Sequence, residues 1–257
     1  MKKIILFSAT ALSLLLPAAS IAADLGRPAP VYKAPPPPAP VYSWTGCYVG
    51  AGGGYGMWNQ ENSDLGPGEI TAVQTDGGRG WFGTAQVGCD YQLSSDWVIG
   101  AFGDWDFGSL SGHPHFPTDL FGNEKEKWAW AVGGRLGYVV VPNLLAYVSV
   151  GWREAHFNGF ELFDEVTPFT DEDLHFNAHT YSGWFIGTGY EYGLKWFPGL
   201  FWKTEYRYAE FSAVNIPQIT TSTGEFGDLF HIRKFEQTIR SELVWRFNWG
   251  GPVRAPY

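Results

Sequence analysis

Large apolar residues occupy every second position in several separate stretches of the chain. In 128–140, WAWAVGGRLGYVV, tryptophan, valine, leucine and tyrosine alternate with alanine, glycine and one arginine. A period of two is the pattern of a β-strand whose two faces meet different surroundings. The same alternation predicts eight strands, at 46–57, 80–91, 96–107, 128–140, 144–156, 180–192, 200–211 and 233–247.

The connections between these predicted strands alternate between short and long. The short ones follow 91, 140 and 192, whereas the long ones cover 58–79, 108–126, 157–179 and 212–232. Short turns at one end and long loops at the other are typical of an up-and-down antiparallel barrel. We therefore expect an all-β fold, an eight-stranded antiparallel up-and-down transmembrane β-barrel.

In the third to fifth predicted strands, the bulky face has aromatic residues toward the strand ends and smaller aliphatic residues between them. This arrangement is typical of an apolar band edged by aromatic girdles, as in barrels that cross a membrane. We predict that the following aromatic side chains face lipid: Trp97, Trp105, Trp128, Trp130, Tyr138, Trp152, Trp184, Trp202, Tyr206, Trp245 and Phe247.

The opposite face carries glycines and charges of both signs. The interior of an eight-stranded barrel has room only for a limited set of side chains, so the glycine-rich face suits the lumen and the aromatic face does not. A soluble lipocalin-like barrel would have the two faces reversed. The predicted lumen charge network consists of Asp104, Arg135, Arg153, Glu191, Lys203, Glu205, Arg207, Arg240 and Glu242, and strict alternation adds Asp90, Asp106, Lys127 and Arg246.

The two ends of the chain differ from the barrel in composition. Lys2 and Lys3 precede an uncharged apolar run and a small-residue cleavage site, so 1–22 is predicted to be a secretory signal peptide. The segment 23–44 is rich in proline, which favours an extended periplasmic linker. The barrel is predicted at 45–247 and a C-terminal tail at 248–257.

Charge and cysteine content narrow the range of partners. The formal net charge of −9 argues against nucleic acid as a partner.

Cys47 and Cys89 are the only cysteines, and an exported chain meets an oxidising compartment. Both residues lie at the short-turn end of neighbouring antiparallel strands, which predicts a disulfide between them.

Several stretches resemble the small alphaproteobacterial outer-membrane proteins of the porin family, which are similar to the OmpA membrane domain. They are ADLGRPAPVYKAPPPPAPVYSWTGCYVGAGGGYG, FGTAQVGCDYQ, RLGYVVVPNLLAYVSVGW, SGWFIGTGYEYGL, WKTEYRY and IRSELVWRF, in family order. The resemblance implies an eight-stranded barrel in the cell outer membrane and a surface role without catalytic residues. It also implies an assembly signal at Trp245 and Phe247, although the chain continues to Tyr257, which is the alternative.

Candidate sites for chemistry are few. The histidines all lie in or next to the predicted long loops: His113, His115, His156, His175, His179 and His231. The stretch HPH at 113–115 could chelate a metal or face a haem iron, or its histidines could stay solvated. No spacing of a metal site and no nucleophile with a base in reach is visible, so we expect no metal, no cofactor and no enzymatic activity.

These observations predict a structural and surface protein that supports envelope integrity and surface contact. The alternatives are a narrow porin for small solutes and a haemin-binding surface protein. The expected partners are outer-membrane lipid and lipopolysaccharide, with peptidoglycan as a further partner of the Pro-rich segment.

Overall fold

A computed structural model of the chain describes residues 43–64, 73–115, 120–164 and 171–247. The predicted signal peptide 1–22, all but the last two residues of the predicted linker 23–44, and the predicted tail 248–257 lie outside the described residues. Within the described ranges, no helix is long and apolar enough to cross a membrane.

The described residues form long β-strands joined by turns and short links. Their bounds are β1 Gly46–Asp64, β2 Gln74–Gln92, β3 Trp97–Gly112, β4 Leu120–Gly122, β5 Glu124–Val141, β6 Leu144–Phe157, β7 Phe160–Asp164, β8 Asp171–Phe176, β9 His179–Gly193, β10 Leu200–Phe211, β11 Val214–Thr220 and β12 Phe226–Phe247.

Eight of these strands form a closed ring, which confirms the predicted barrel. The order is β1-β2-β3-β5-β6-β9-β10-β12, and β12 pairs back with β1 along its length. All the pairings around the ring are antiparallel. Because the sheet closes on itself, it leaves no edge of unpaired amides, which a bilayer would penalise by several kcal/mol per group.

The remaining strands extend the sheet at the long-connection end. β11 pairs with the first part of β12, and the order continues through β8 and β7 to β4. The prediction of loops at 108–126, 157–179 and 212–232 is therefore wrong in part, since these segments contain four extra strands. The signal is weak because these strands are three to seven residues long.

The register of β1 and β2 places Cys47 directly opposite Cys89, and the structure contains the disulfide between them. The two Cα atoms are 3.9 Å apart. The pair lies near the short-turn end of the barrel, which is the periplasmic end in barrels of this type. The disulfide therefore fastens the first two strands of the ring at that end.

Two irregularities interrupt the alternation in the outer half of the ring, and a third, between Val139 and Val141, lies at the short-turn end of β5. β3 shifts register against β5 between Phe107 and Leu110, and β5 shifts against β6 between Glu126 and Trp128. A β-bulge adds a residue to one strand, so the residues beyond it change face. Both bulges lie on the long-connection side of the tryptophan-rich part of these strands, and they change which side chains enter the lumen there.

Candidate functional site: the lumen and the outer wall

The lumen is lined by small residues and by charged residues of both signs. Most of the inward positions not taken by charged or aromatic side chains are glycines and alanines, which leave room for long side chains from the opposite wall. Buried acidic side chains are Asp90, Asp104, Asp106, Glu124, Glu126, Glu191, Glu205, Glu236 and Glu242, and buried basic side chains are Arg135, Arg153, Lys203, Arg207, Lys234, Arg240 and Arg246.

A periplasmic cluster closes the short-turn end. Arg135 on β5 donates to both oxygens of Asp90 on β2 and to Glu191 on β9, with 3.1 Å to the glutamate. Arg246 on β12 binds the same two carboxylates, 2.7 Å from Asp90 and 2.6 Å from Glu191. The guanidinium of Arg246 also lies over the buried ring of Trp44. Trp44, which comes just before β1, therefore covers this cluster at the short-turn end.

A central cluster spans the middle of the lumen. Arg207 on β10 donates to Asp104 on β3 at 2.9 Å, and Arg240 on β12 reaches Asp104 at 3.2 Å. Arg240 also binds Asp106 at 2.9 Å. Since β3 lies across the ring from β10 and β12, these pairs bridge the lumen and do not run along one wall.

Two further groups join the central cluster on either side. Arg153 on β6 binds Asp106 at 2.8 Å and Glu236 at 2.7 Å. Lys203 binds Glu242 at 2.9 Å and Glu205 at 3.1 Å. Each of the seven buried cations thus lies within 4 Å of a carboxylate, and such pairing offsets part of the large cost of removing charges from water.

The outer end of the lumen holds a single lysine in an aromatic cage. The ammonium of Lys234 lies 4.5, 4.2 and 5.0 Å from the ring centroids of Trp58, Phe157 and Tyr181. It also binds Glu124 at 2.7 Å. Desolvated cations are attracted to aromatic faces, so the cage and the carboxylate together hold this side chain across the mouth.

The structure places all nine predicted lumen charges inside the barrel, where Arg135 and Glu191 belong to the periplasmic cluster and the other seven belong to the central cluster and the groups that join it. Strict alternation also predicts Lys127 in the lumen, but Lys127 is exposed, because the bulge after Glu126 reverses the faces of β5 beyond it. The same bulge brings Glu124 and Glu126 inward, which the alternation does not indicate. The predicted lumen network also lacks Lys234 and Glu236, although both lie an even number of positions from Arg240 on β12 and therefore share its face.

The predicted lipid-facing aromatics lie on the outside of the ring. Trp202 is 51% exposed, Trp105 is 47% exposed and Trp245 is 38% exposed, although each is a large apolar side chain. Trp128 and Trp130 are partly covered, and Trp128 stacks between Trp105 and His156 with centroid distances of 5.2 and 5.0 Å. The outer wall thus presents a continuous apolar surface.

The histidines are spread over the outer end and do not converge. His156 binds Thr180, His175 binds Thr221, His231 binds Asn215 and His115 lies 3.4 Å from Asp76. His179 packs edge-on against Tyr181, and His113 is exposed. Within the ranges that the structure describes, no three His, Cys, Asp or Glu residues are grouped as metal ligands.

Comparison with known proteins adds a relative and a solved fold. No protein-family model matches the chain. A 31 kDa outer-membrane immunogenic protein of Brucella melitensis is 29% identical over 263 residues, which cover 96% of this chain and 100% of the relative, and the protein of the same description from Brucella suis matches equally well. The crystal structure of the outer membrane protein OprG from Pseudomonas aeruginosa matches with a TM-score of 0.53 and 10% identity, over 79% of this chain and 97% of OprG.

The relative and the fold agree on location. The relatives are outer-membrane proteins of Brucella, and the solved structure has the same closed antiparallel barrel. The exposed aromatic wall requires an apolar surrounding, which the outer membrane supplies. The resemblance to alphaproteobacterial outer-membrane barrels is thus confirmed, and the chain is an outer-membrane surface protein with its barrel embedded in lipid.

Proposed function

We propose that the protein is a structural and surface barrel with a closed lumen, which supports envelope integrity and presents its outer end to the surroundings. The single observation that carries the proposal is the bridging of the lumen by paired charges. Arg207, Arg240 and Arg153 each reach a carboxylate on β3 from other strands of the ring. A narrow porin needs a path for water between such groups.

Opening a path through these clusters would leave charges without partners. Breaking a buried ion pair costs about 3–5 kcal/mol, because one charge stays buried and uncompensated. Three successive sets of pairs lie along the lumen, at the periplasmic end, in the centre and around Lys234. Spontaneous opening of all of them is therefore rare, which supports a closed barrel over a narrow porin.

Planar-bilayer recording tests the proposal. We expect the wild-type barrel to give no steady step currents in a concentrated salt solution. A variant with Arg153→Ser, Arg207→Ser and Arg240→Ser loses three bridging side chains, so we expect measurable currents from it if it folds. Steady currents through the wild-type barrel would overturn the closed lumen and favour the narrow porin.

A deletion strain tests the envelope role separately. We expect cells without the protein to become more sensitive to detergent and to large antibiotics, and complementation with the wild-type gene to restore resistance. Unchanged sensitivity would contradict a role in envelope integrity without bearing on the lumen.

Two further parts of the proposal concern chemistry and the linker. We infer that the protein acts without catalysis, because neither the lumen clusters nor the separated histidines provide an activated nucleophile.

We also propose that the Pro-rich segment 23–44 contacts peptidoglycan. Co-sedimentation of purified peptidoglycan with the full mature chain, and its loss when 23–42 is removed, would support this contact; equal sedimentation of both chains would refute it.

A further inference from the structure

The outer surface of the barrel carries an uneven distribution of basic side chains just beyond the aromatic girdle. On β2, Arg79 lies two residues beyond Trp81, which is 76% exposed and packs on Tyr55. On β5, Lys125 and Lys127 lie just beyond Trp128. Both positions are on the long-connection side of the girdle, which is the outer-leaflet side in barrels of this type.

The strand register brings these three residues together. Arg79 and Lys125 are both opposite Ser111 on β3, so they occupy one row across three neighbouring strands. Adjacent strands are about 4.8 Å apart, which places the two Cα atoms about 10 Å from each other. Lys127 follows two residues after Lys125 on the same strand. We call Arg79, Lys125 and Lys127 the basic row.

The bulge in β5 is what directs the lysines outward. Glu124 and Glu126 are 4% and 3% exposed and face the lumen, so Lys125 between them faces out. By the same alternation Lys127 faces out, and the register shift at this residue lets the next residue, Trp128, face out as well. Bulges commonly redirect side chains at functional positions, and without this one Lys127 would enter the lumen.

The charges of the basic row are not used by the fold. Among the residues that the structure describes, no carboxylate forms an ion pair with Arg79, Lys125 or Lys127. The exposed cation on β12 behaves differently, since Arg233 is paired with Glu210 on β10. In a chain of net charge −9, three unpaired cations in one sector form a local positive field.

A polar cleft adjoins the two lysines. It has a volume of about 810 Å³ and is lined by both lysines together with Asn158 of the β6–β7 link, Asn177 of the β8–β9 link and His175 of β8. Asn158 is fixed by hydrogen bonds with the backbone of Lys125, at 2.8 and 3.0 Å. Glu161 is the carboxylate in this lining, so the cleft is polar with a cationic edge.

We propose that the basic row and its cleft bind the phosphorylated headgroup of an outer-leaflet glycolipid, lipopolysaccharide, whose acyl chains lie on the apolar wall below. The occupant is a lipid because the cations stand directly above Trp81, Trp128 and the exposed wall between the girdles. The amide groups of the cleft suit sugar hydroxyls, and the ammonium and guanidinium groups suit phosphate. This inference rests on the outer-membrane location and not on a closed lumen.

Lipid retention by the purified mature barrel in neutral detergent tests the proposal. The probes are lipopolysaccharide, the same lipid after removal of its phosphates, and inorganic phosphate as competitor. We expect the wild-type barrel to retain the phosphorylated lipid in native mass spectra, and to bind the dephosphorylated lipid at least about tenfold more weakly, since each basic group near a lipid surface contributes about a fivefold change.

Variants locate the site. We expect R79Q/K125Q/K127Q to weaken binding of lipopolysaccharide by at least about tenfold and K127Q alone by about fivefold. The matched control R233Q removes an exposed cation of the outer end that already has a partner, so we expect unchanged binding. A gel of boiled and unboiled samples shows whether the triple variant folds. If it does not fold, K127Q alone provides the test of the site.

Three outcomes would overturn the proposal. The first is equal retention of phosphorylated and dephosphorylated lipid, and the second is equal loss of binding in K127Q and R233Q. The third is displacement of the lipid by inorganic phosphate at the same concentration, which would indicate a site for a free anion. A conducting barrel that still retained lipopolysaccharide through Lys127 would overturn only the closed lumen.

Discussion

The lumen and the outer wall of the barrel are made by the same strands but obey opposite rules. On β5, Arg135 is 5% exposed and bound by two carboxylates, while its neighbour Leu136 is 44% exposed and lies between Ile99 and Val148 of the adjacent strands. The lumen keeps charged groups and pairs each of them with a group of opposite charge, whereas the wall keeps apolar groups and leaves them exposed. The comparison shows that a buried charge in this barrel has a partner of opposite sign, and that an exposed apolar side chain of the wall faces lipid.

The first prediction compares the loss of a cation from a buried ion pair in the lumen with the loss of a cation from an exposed ion pair on the outer surface. Arg240→Met leaves Asp104 and Asp106 with one cation fewer in a site that excludes water. We expect the free energy of unfolding to fall by about 3–5 kcal/mol, measured by urea titration in detergent micelles. Methionine keeps most of the length of the side chain, so a cavity contributes little to the loss.

The matched exterior change is Arg233→Met, which breaks the pair with Glu210. Arg233 is 45% exposed in its side chain, and exposed pairs contribute about 0–1 kcal/mol. If the two variants lose the same stability, the lumen charges are hydrated to the same degree as surface charges, and the closed lumen is in doubt.

The second prediction places a charge on the wall. Val148 is 51% exposed and lies between the two girdles on β6. We expect Val148→Arg to cost about 2–4 kcal/mol, because an arginine near the middle of a bilayer loses its hydration. Folding into lipid vesicles, followed by denaturant titration, measures this cost.

Asn59→Arg is the control for the wall. Asn59 is exposed on β1 beyond the girdle residue Tyr55, where lipid headgroups and water solvate a charge. We expect a change of about 0–1 kcal/mol there. Equal costs at Val148 and Asn59 would mean that the wall does not face hydrocarbon.

Strict alternation predicts from the sequence alone which residues face the lumen and which face the outer wall in most of the ring. Arg135, Glu191 and Arg240 share a face with glycines, and their counterparts on the other face are leucine, tyrosine and isoleucine. This assignment of alternate residues to the two faces holds wherever a strand has no bulge. The number of strands in the ring follows from the same repeat, since each strand of the barrel is long enough to show it.

The sequence is less informative where the pattern changes phase. Lys127 and Glu126 exchange faces at a bulge that no proline or turn residue indicates, so the basic row and the outer part of the lumen could not be placed by counting. The short strands β4, β7, β8 and β11 are also hidden, because a strand of three to seven residues shows too few alternations to be distinguished from a loop. Their pairing depends on the neighbouring long strand, as with β11 on β12.

The third prediction uses two adjacent glycines on β5 that face opposite sides. A Cβ at Gly133 would lie 2.6 Å from the backbone carbonyl oxygen of Val150 on β6 and 2.8 Å from the ring of Phe185, which is buried in the barrel. A Cβ at Gly134 would find only the carbonyl oxygen of Gly100 at 3.6 Å, which is ordinary contact. The lumen therefore requires glycine at the first position, and the wall tolerates a methyl group at the second.

We expect Gly133→Ala to lower the free energy of unfolding by about 1–3 kcal/mol, because backbone and a buried ring must move. Gly134→Ala should be neutral or raise stability by up to about 1 kcal/mol, since alanine reduces the freedom of the unfolded chain. The urea midpoints of the two variants, measured side by side, give the comparison. A loss at Gly134 as large as that at Gly133 would show that the outer face of β5 is packed against something other than fluid lipid, such as a second barrel. A loss at neither position would show that the glycine-lined lumen has free space beside Phe185, and a narrow water path would then become the better account of it.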